Sequence, residues 1–111
     1  MEFRNFLAFD PIAQAAGGGL SITGEETGRR LKPGLNVGDT GAGLHSVIGI
    51  LAALYQRVTT NVGQRIEVFM RDAVINFGRI AHAAQALNNK PAPRAGNQSI
   101  AAGTSPSEVY S

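Results

Sequence analysis

The stretch NVGDTGAGLHSVIGILAALYQ, residues 36 to 56, decides how this chain is read. It places one acid, Asp39, among glycines, immediately ahead of a long uncharged run. From Gly41 to Arg57 the apolar residues recur at helical spacing. Leu44, Val47, Ile48, Leu51, Leu54, Tyr55 and Val58 form one stripe, while Ile50, Ala52 and Ala53 lie opposite. A helix that is apolar nearly all round is expected to be buried. The run is interrupted by glycines and polar residues, so it is expected to fall short of a membrane span.

Working outward, DPIAQAA at 10 to 16 reads as a short helix, with Asp10 as N-cap, Pro11 at the first helical position and the glycines at 17 to 19 as its stop. LSITG at 20 to 24 reads as extended, and 24 to 36 as a loop turning at Pro33 and Gly34. TTNVG is a connector. QRIEVFM, residues 64 to 70, alternates Ile66, Val68 and Met70 with Arg65, Glu67 and Phe69, which predicts a strand. A second helix is predicted over 71 to 87, with Ala73, Val74, Phe77, Ile80, Ala81, Ala84 and Leu87 on its stripe and Asn88, Asn89 and Pro91 at its end. The tail from 89 is rich in Pro, Gly, Ser and Asn and reads as a linker.

The expected fold is therefore an α/β fragment: mainly two helices with a short strand between them. One strand cannot make a sheet, and an apolar helix needs cover on every side. Partners from outside this sequence are implied.

Composition narrows the function classes. The chain has 111 residues, 43% of them hydrophobic, with 14 glycines, 6% aromatics and a net charge of +2. The abundance of glycine points to close backbone packing. The densest basic cluster, Arg29, Arg30 and Lys32, is diluted by Glu25 and Glu26 and makes no nucleic-acid footprint. No cysteine is present, which rules out a disulfide and a thiolate metal site. The opening residues MEFRNFLAFD lack the apolar run of a signal peptide, and a cytoplasmic location is expected.

Three readings compete for Asp39. As a helix cap it would accept from free amides near Ala42, a contribution of about 1 kcal/mol. As part of a phosphate loop it fails. Gly38 and Gly43 have a Walker-like spacing, but Leu44 and His45 occupy the positions that need Lys and Ser or Thr, and Ser46 breaks a dinucleotide pattern counted from Gly41. As a nucleophile it would attack an acyl carbon, with Gly38, Gly41 and Gly43 leaving the approach open and nearby amides free to stabilise an oxyanion. His45 and His82 lack ligand spacing and read as packed or surface histidines. Asp72 reads as compensating the dipole of the second helix, and no G-x-S-x-G elbow occurs.

The order of segments then resembles a known family. FDPIAQAAGGGLSITGE, GDTGAGLHSVIGILAALYQR and GQRIEVFMRDAVINF, in that order and spacing, are similar to the class III CoA-transferases, the family of formyl-CoA transferase and carnitine CoA-transferase. The resemblance runs from about Phe3 to Tyr110, and the tail RAGNQS…SPSEVY is closest to the formyl-CoA transferase branch. It implies that residues 1–88 are part of the larger domain of such an enzyme and that 89–111 lead toward a smaller domain.

It also implies that Asp39 is the nucleophilic aspartate, forming an aspartyl anhydride and then an aspartyl-CoA thioester. Coenzyme A thioester is then a substrate, with no tightly bound cofactor and no metal. Leu7, Ala8, Phe9 and Asp10 match a segment beside bound CoA. The chain departs from formyl-CoA transferase at Leu7 and Phe9, where lysine and tyrosine stand in that branch. Acyl-CoA and carboxylic acid substrates and an interlocked homodimer follow from the same resemblance, with no nucleic-acid or membrane partner. A chain matching an internal quarter of such an enzyme is expected to be inactive alone. The rival expectation is a small non-enzymatic helical protein that oligomerises through residues 44 to 58, with Asp39 as a cap.

Overall fold

The computed structural model describes residues 7–100. Its elements are α1 (Asp10–Ala16), α2 (Gly19–Ile22), α3 (Val37–Thr60), α4 (Met70–Phe77) and α5 (Arg79–Asn88). The expectations for residues 1–6 and 101–111 lie outside the described residues.

α1 forms where expected, with Pro11 in its first turn and Gly17 as its C-cap. Gly17 ends the helix for a packing reason as well. A Cβ there would lie 2.7 Å from Val74 Cβ, so only glycine lets α1 close onto α4. Gly18 follows with φ 84°, the left-handed region that glycine enters without strain. LSITG does not extend. Gly19–Ile22 makes a single helical turn, tied locally by Ser21 Oγ donating to the Gly18 carbonyl and Thr23 Oγ1 donating to the Gly19 carbonyl, both at 2.7 Å.

α3 starts four residues earlier than Gly41 and ends at Asn61, whose φ of 55° and N–H bond to the Arg57 carbonyl (2.8 Å) close the helix. The glycines that read as interruptions lie inside it. At 24 residues α3 is long and apolar enough, by length and composition, to cross a membrane, contrary to the sequence expectation.

The predicted strand is absent: the described residues contain no strand, and 61 to 69 carry no regular secondary structure. The alternation itself is real. Ile66, Val68 and Met70 are half-buried, while Arg65, Glu67 and Phe69 are exposed and Arg65 pairs with Glu67 on the outer side. Strand pairing needs a second backbone, and no ladder forms with this segment among the described residues. The predicted helix over 71 to 87 is two helices. Gly78, the costliest residue after proline in a helix, separates α4 from α5.

Burial of α3 also departs from expectation. Its packed or half-packed positions are Val37, Gly38, Gly41, Ala42, His45, Ser46, Gly49 and Ala53, a stripe of mostly small residues at helical spacing. The large apolar side chains at Leu44, Val47, Ile48, Ile50, Leu51, Leu54, Tyr55 and Val58 are between 49% and 84% exposed. The buried apolar residues among those described are Ala13, Ala73, Val74 and Ala81. Close approach of backbones therefore replaces bulky side chains where α1, α3 and α4 meet. The tail is tied down as well: Arg94 donates to the carbonyls of Glu25, Glu26 and Gly28, each at 2.9 Å, and the Gly96 amide to that of Gly24 at 3.2 Å.

Candidate active site

The N-terminus of α3 is built from residues far apart in sequence. Asn36 is the N-cap residue, but it makes no side-chain cap, and Asp39 is the third helical residue. The capping carboxylate is that of Asp10, at the start of α1. Its Oδ1 accepts from the Gly38 amide at 2.7 Å and from the Asp39 amide at 3.3 Å. Its Oδ2 accepts from Gln14 Nε2 at 2.5 Å and lies 3.7 Å from Lys32 Nζ. The same Gln14 nitrogen donates to the Leu35 carbonyl at 3.0 Å, holding the residues just before α3. Asp10 is 4% exposed and Gln14 fully buried, with Gln14 Oε1 left without a hydrogen-bond partner among the described residues.

Two sequence expectations change here. Asp10 does not cap its own helix, and Asp39 does not cap α3. Among the described residues the Asp39 carboxylate makes no hydrogen bond or ion pair, and the residue is exposed. The amides of Gly38, Asp39 and Thr40 are all taken, the last by the Asn36 carbonyl at 3.0 Å, so these three are not free to hold an oxyanion.

The three glycines serve two different ends. A Cβ on Gly38 would lie 3.1 Å from both Ala13 Cβ and Asp10 Oδ1, and one on Gly41 would lie 2.5 Å from Phe77 Cε2 and 3.2 Å from Ala73 Cβ. Those two permit packing. Gly43, one turn beyond Asp39 on the same side, has nothing within 4 Å of such an atom. The space on that side of the helix is open.

Of the expected CoA-contact segment, Leu7, Ala8 and Phe9 are exposed, Leu7 by 74% and Phe9 by 60%, and run directly into the buried Asp10. This continuity puts them next to the residue that holds Asp39. Both histidines are hydrogen-bonded within the fold. Asn76 Nδ2 donates to His45 Nε2 at 2.8 Å, which leaves Nδ1–H to donate to the Gly41 carbonyl at 2.6 Å, and the ring meets Phe77 edge-on at 6.0 Å. His82 Nε2 lies 3.3 Å from the Gly17 carbonyl. Asp72 sits in the first turn of α4, bonded to Arg71 at 2.9 Å. No cluster of three or more metal-ligating side chains occurs among the described residues. Sequence reasoning missed Gln14, an ordinary polar residue in a helix; one signal was available, its i+4 spacing from Asp10.

Comparison with known proteins extends this picture. The family model described as CoA-transferase family III matches residues 2–111. A formyl-CoA:oxalate CoA-transferase of Streptomyces avermitilis is 50% identical over 78 residues, covering 70% of this chain and 19% of the relative. The enzyme of the same name from Streptomyces coelicolor gives the same figures, and that of Rhodopseudomonas palustris is 42% identical over 78 residues, 18% of its length. The crystal structure of a CAIB/BAIF family protein from Brucella suis superposes with a TM-score of 0.81 at 29% identity, over 86% of this chain and 25% of that one. The chain thus spans about a fifth of the length of the curated relatives it matches.

Proposed function

Because the chain belongs to CoA-transferase family III, we propose that it is the active-aspartate segment of an enzyme that moves CoA from an acyl-CoA thioester to a carboxylic acid, and that Asp39 is the nucleophile. The observation that carries this is the division of labour at the start of α3. Asp10 takes the cap, and Asp39 stands exposed and uncommitted beside an open glycine.

The chemistry balances without redox or a metal. An Asp39 carboxylate oxygen attacks the thioester carbon, the C–S bond breaks, and CoA leaves as thiolate from a mixed anhydride. The thiolate attacks the Asp39 carbonyl carbon and releases the donor acid, leaving an aspartyl-CoA thioester. The acceptor carboxylate then attacks that thioester, forming a second anhydride and freeing CoA thiolate. Attack of the thiolate on the acceptor's carbonyl releases the new acyl-CoA and restores Asp39. Each step exchanges one carboxylate or thiolate for another, so no proton is consumed overall.

CoA contacts fall to the exposed run Leu7, Ala8 and Phe9. Substrates of the formyl-CoA and oxalate kind are suggested by the relatives. The outer face of α3 is covered, on this reading, by the rest of a family-length chain or by a second copy of it, in the cytoplasm. The 111 residues by themselves are inactive.

The test is a chimera in which these residues replace the matching segment of the Streptomyces avermitilis enzyme. Formyl-CoA:oxalate transfer is expected, with an acyl-enzyme that hydroxylamine traps. Asp39→Asn removes the nucleophile but keeps the fold, and should abolish both transfer and trapping. Near-normal transfer by that variant would overturn the assignment.

A further inference from the structure

We propose that Asp10, rather than contacting CoA, is a positioning residue that keeps the Asp39 carboxylate free to react. The proposal rests on the reading of Asp39 as nucleophile. The resemblance places Asp10 in the CoA-contact segment, but the geometry assigns it inward. It is 4% exposed, and both of its oxygens are occupied: Oδ1 by the Gly38 and Asp39 amides, Oδ2 by Gln14 Nε2 with Lys32 Nζ nearby. A carboxylate so enclosed has no oxygen to offer a ligand.

Its effect on Asp39 follows from the arithmetic of the first helical turn. A helix begins with amides that have no partner within it. A short acidic side chain in that turn is drawn back onto such amides, because a charge-assisted bond to an N–H is strong. Asp39 is the third helical residue and within reach of this fate. Asp10 removes the temptation by supplying a carboxylate from another helix, 29 residues away in sequence. Gln14 fixes that carboxylate, and through the Leu35 carbonyl it also fixes the entry to α3. Gly38 completes the device. A Cβ there would lie 3.1 Å from Asp10 Oδ1, so glycine lets the carboxylate reach the amides.

Without Asp10, the Gly38 and Asp39 amides lose their acceptor. The Asp39 carboxylate can then satisfy them by turning inward, which spends the lone pairs that attack the thioester. The binding run Leu7–Phe9 is untouched by this change. The expected signature is therefore a fall in kcat with KM for acyl-CoA preserved.

The experiment uses the chimera and three variants, Asp10→Ala, Asp10→Asn and Asp39→Asn. Asp10→Ala should lower kcat about tenfold or more while the acyl-CoA KM stays within about twofold. Hydrogen exchange of a peptide covering residues 37–40 should accelerate by about tenfold. Asp10→Asn keeps an oxygen that accepts from the same amides, and should recover both quantities to within about threefold. Unchanged exchange in Asp10→Ala would overturn the cap. A raised acyl-CoA KM with kcat intact would return Asp10 to the CoA site, and equal losses in the Ala and Asn variants would also sink the positioning role. Asp39→Asn separates the two readings. If it transfers CoA, the nucleophile assignment falls, while exchange over 37–40 still decides whether Asp10 is the cap.

Discussion

The two sides of α3 follow opposite rules. On one, Gly38, Gly41, His45 and Gly49 meet α1, α4 and the segment between α3 and α4 so closely that added carbons on the three glycines would lie within 3.1 Å of Ala13, Phe77 or Ile66. On the other, Leu44, Val47, Leu51, Leu54 and Val58 face outward with between 49% and 84% of their surface uncovered. The difference teaches that a helix can be closely packed at its small-residue side by its own chain while its large-residue side is left uncovered by that chain. Small side chains gain little from burial individually, but they allow backbones to approach and side chains such as Phe77 to seat. Large ones each gain about 1.5–3 kcal/mol once covered, and nothing while exposed.

The sharpest way to break this contrast is to make the outer side polar. Val47, Leu51 and Leu54 replaced together by Gln should prevent the chimera from folding, since about 1.5–3 kcal/mol per covered side chain is withdrawn. In the isolated 111 residues the same triple change should have the opposite effect. The unaltered segment is expected to self-associate through its apolar face, and the variant to run as a helical monomer by light scattering and circular dichroism. An unaltered segment that is a stable soluble monomer would contradict the claim that this side awaits cover.

A smaller effect is expected on the inner side. Gly41→Val drives a branched side chain into Phe77 and Ala73, and overpacking of this kind costs about 1–3 kcal/mol. Denaturant melts of the solubilised triple variant, with and without Gly41→Val, measure it. No change in midpoint would mean that α3 and α4 do not pack as described.

The smallest effect, and of opposite sign, belongs to Gly43. Alanine there meets nothing within 4 Å and should raise stability by up to about 1 kcal/mol through helix propensity alone. In the same melts a loss of stability at Gly43 would show that the space beside Asp39 is occupied.

Much of this molecule is legible in the order of its residues. Pro11 and Gly17 bound α1, Asn89 closes α5 in the left-handed conformation, and the alternation of 64 to 70 correctly sorts Ile66 and Val68 from Arg65 and Glu67, whereas the end of α3 at Asn61 lies beyond the Arg57 that the apolar spacing gave. These are local properties, set by backbone preference and by the period of apolar side chains. The three segments around AQAAGG, GDTGAG and GQRIEVFM also suffice to place the chain in its family.

Tertiary structure alone decided the rest. Periodicity states that α3 has an apolar stripe but not which stripe this chain covers, because coverage depends on what else is present. A strand-like alternation becomes a strand only when another backbone supplies the ladder, and for 61 to 69 none does among the described residues. The exchange of roles between the two acids was equally hidden. Either Asp10 or Asp39 satisfies the local rule for a helix cap. Which one caps α3 depends on the packing of α1 against α3, which brings Asp10 Oδ1 to 2.7 Å from an amide 28 residues away. A hydrogen bond acts over a few ångströms in space and is blind to separation along the chain, so only the folded arrangement could assign it.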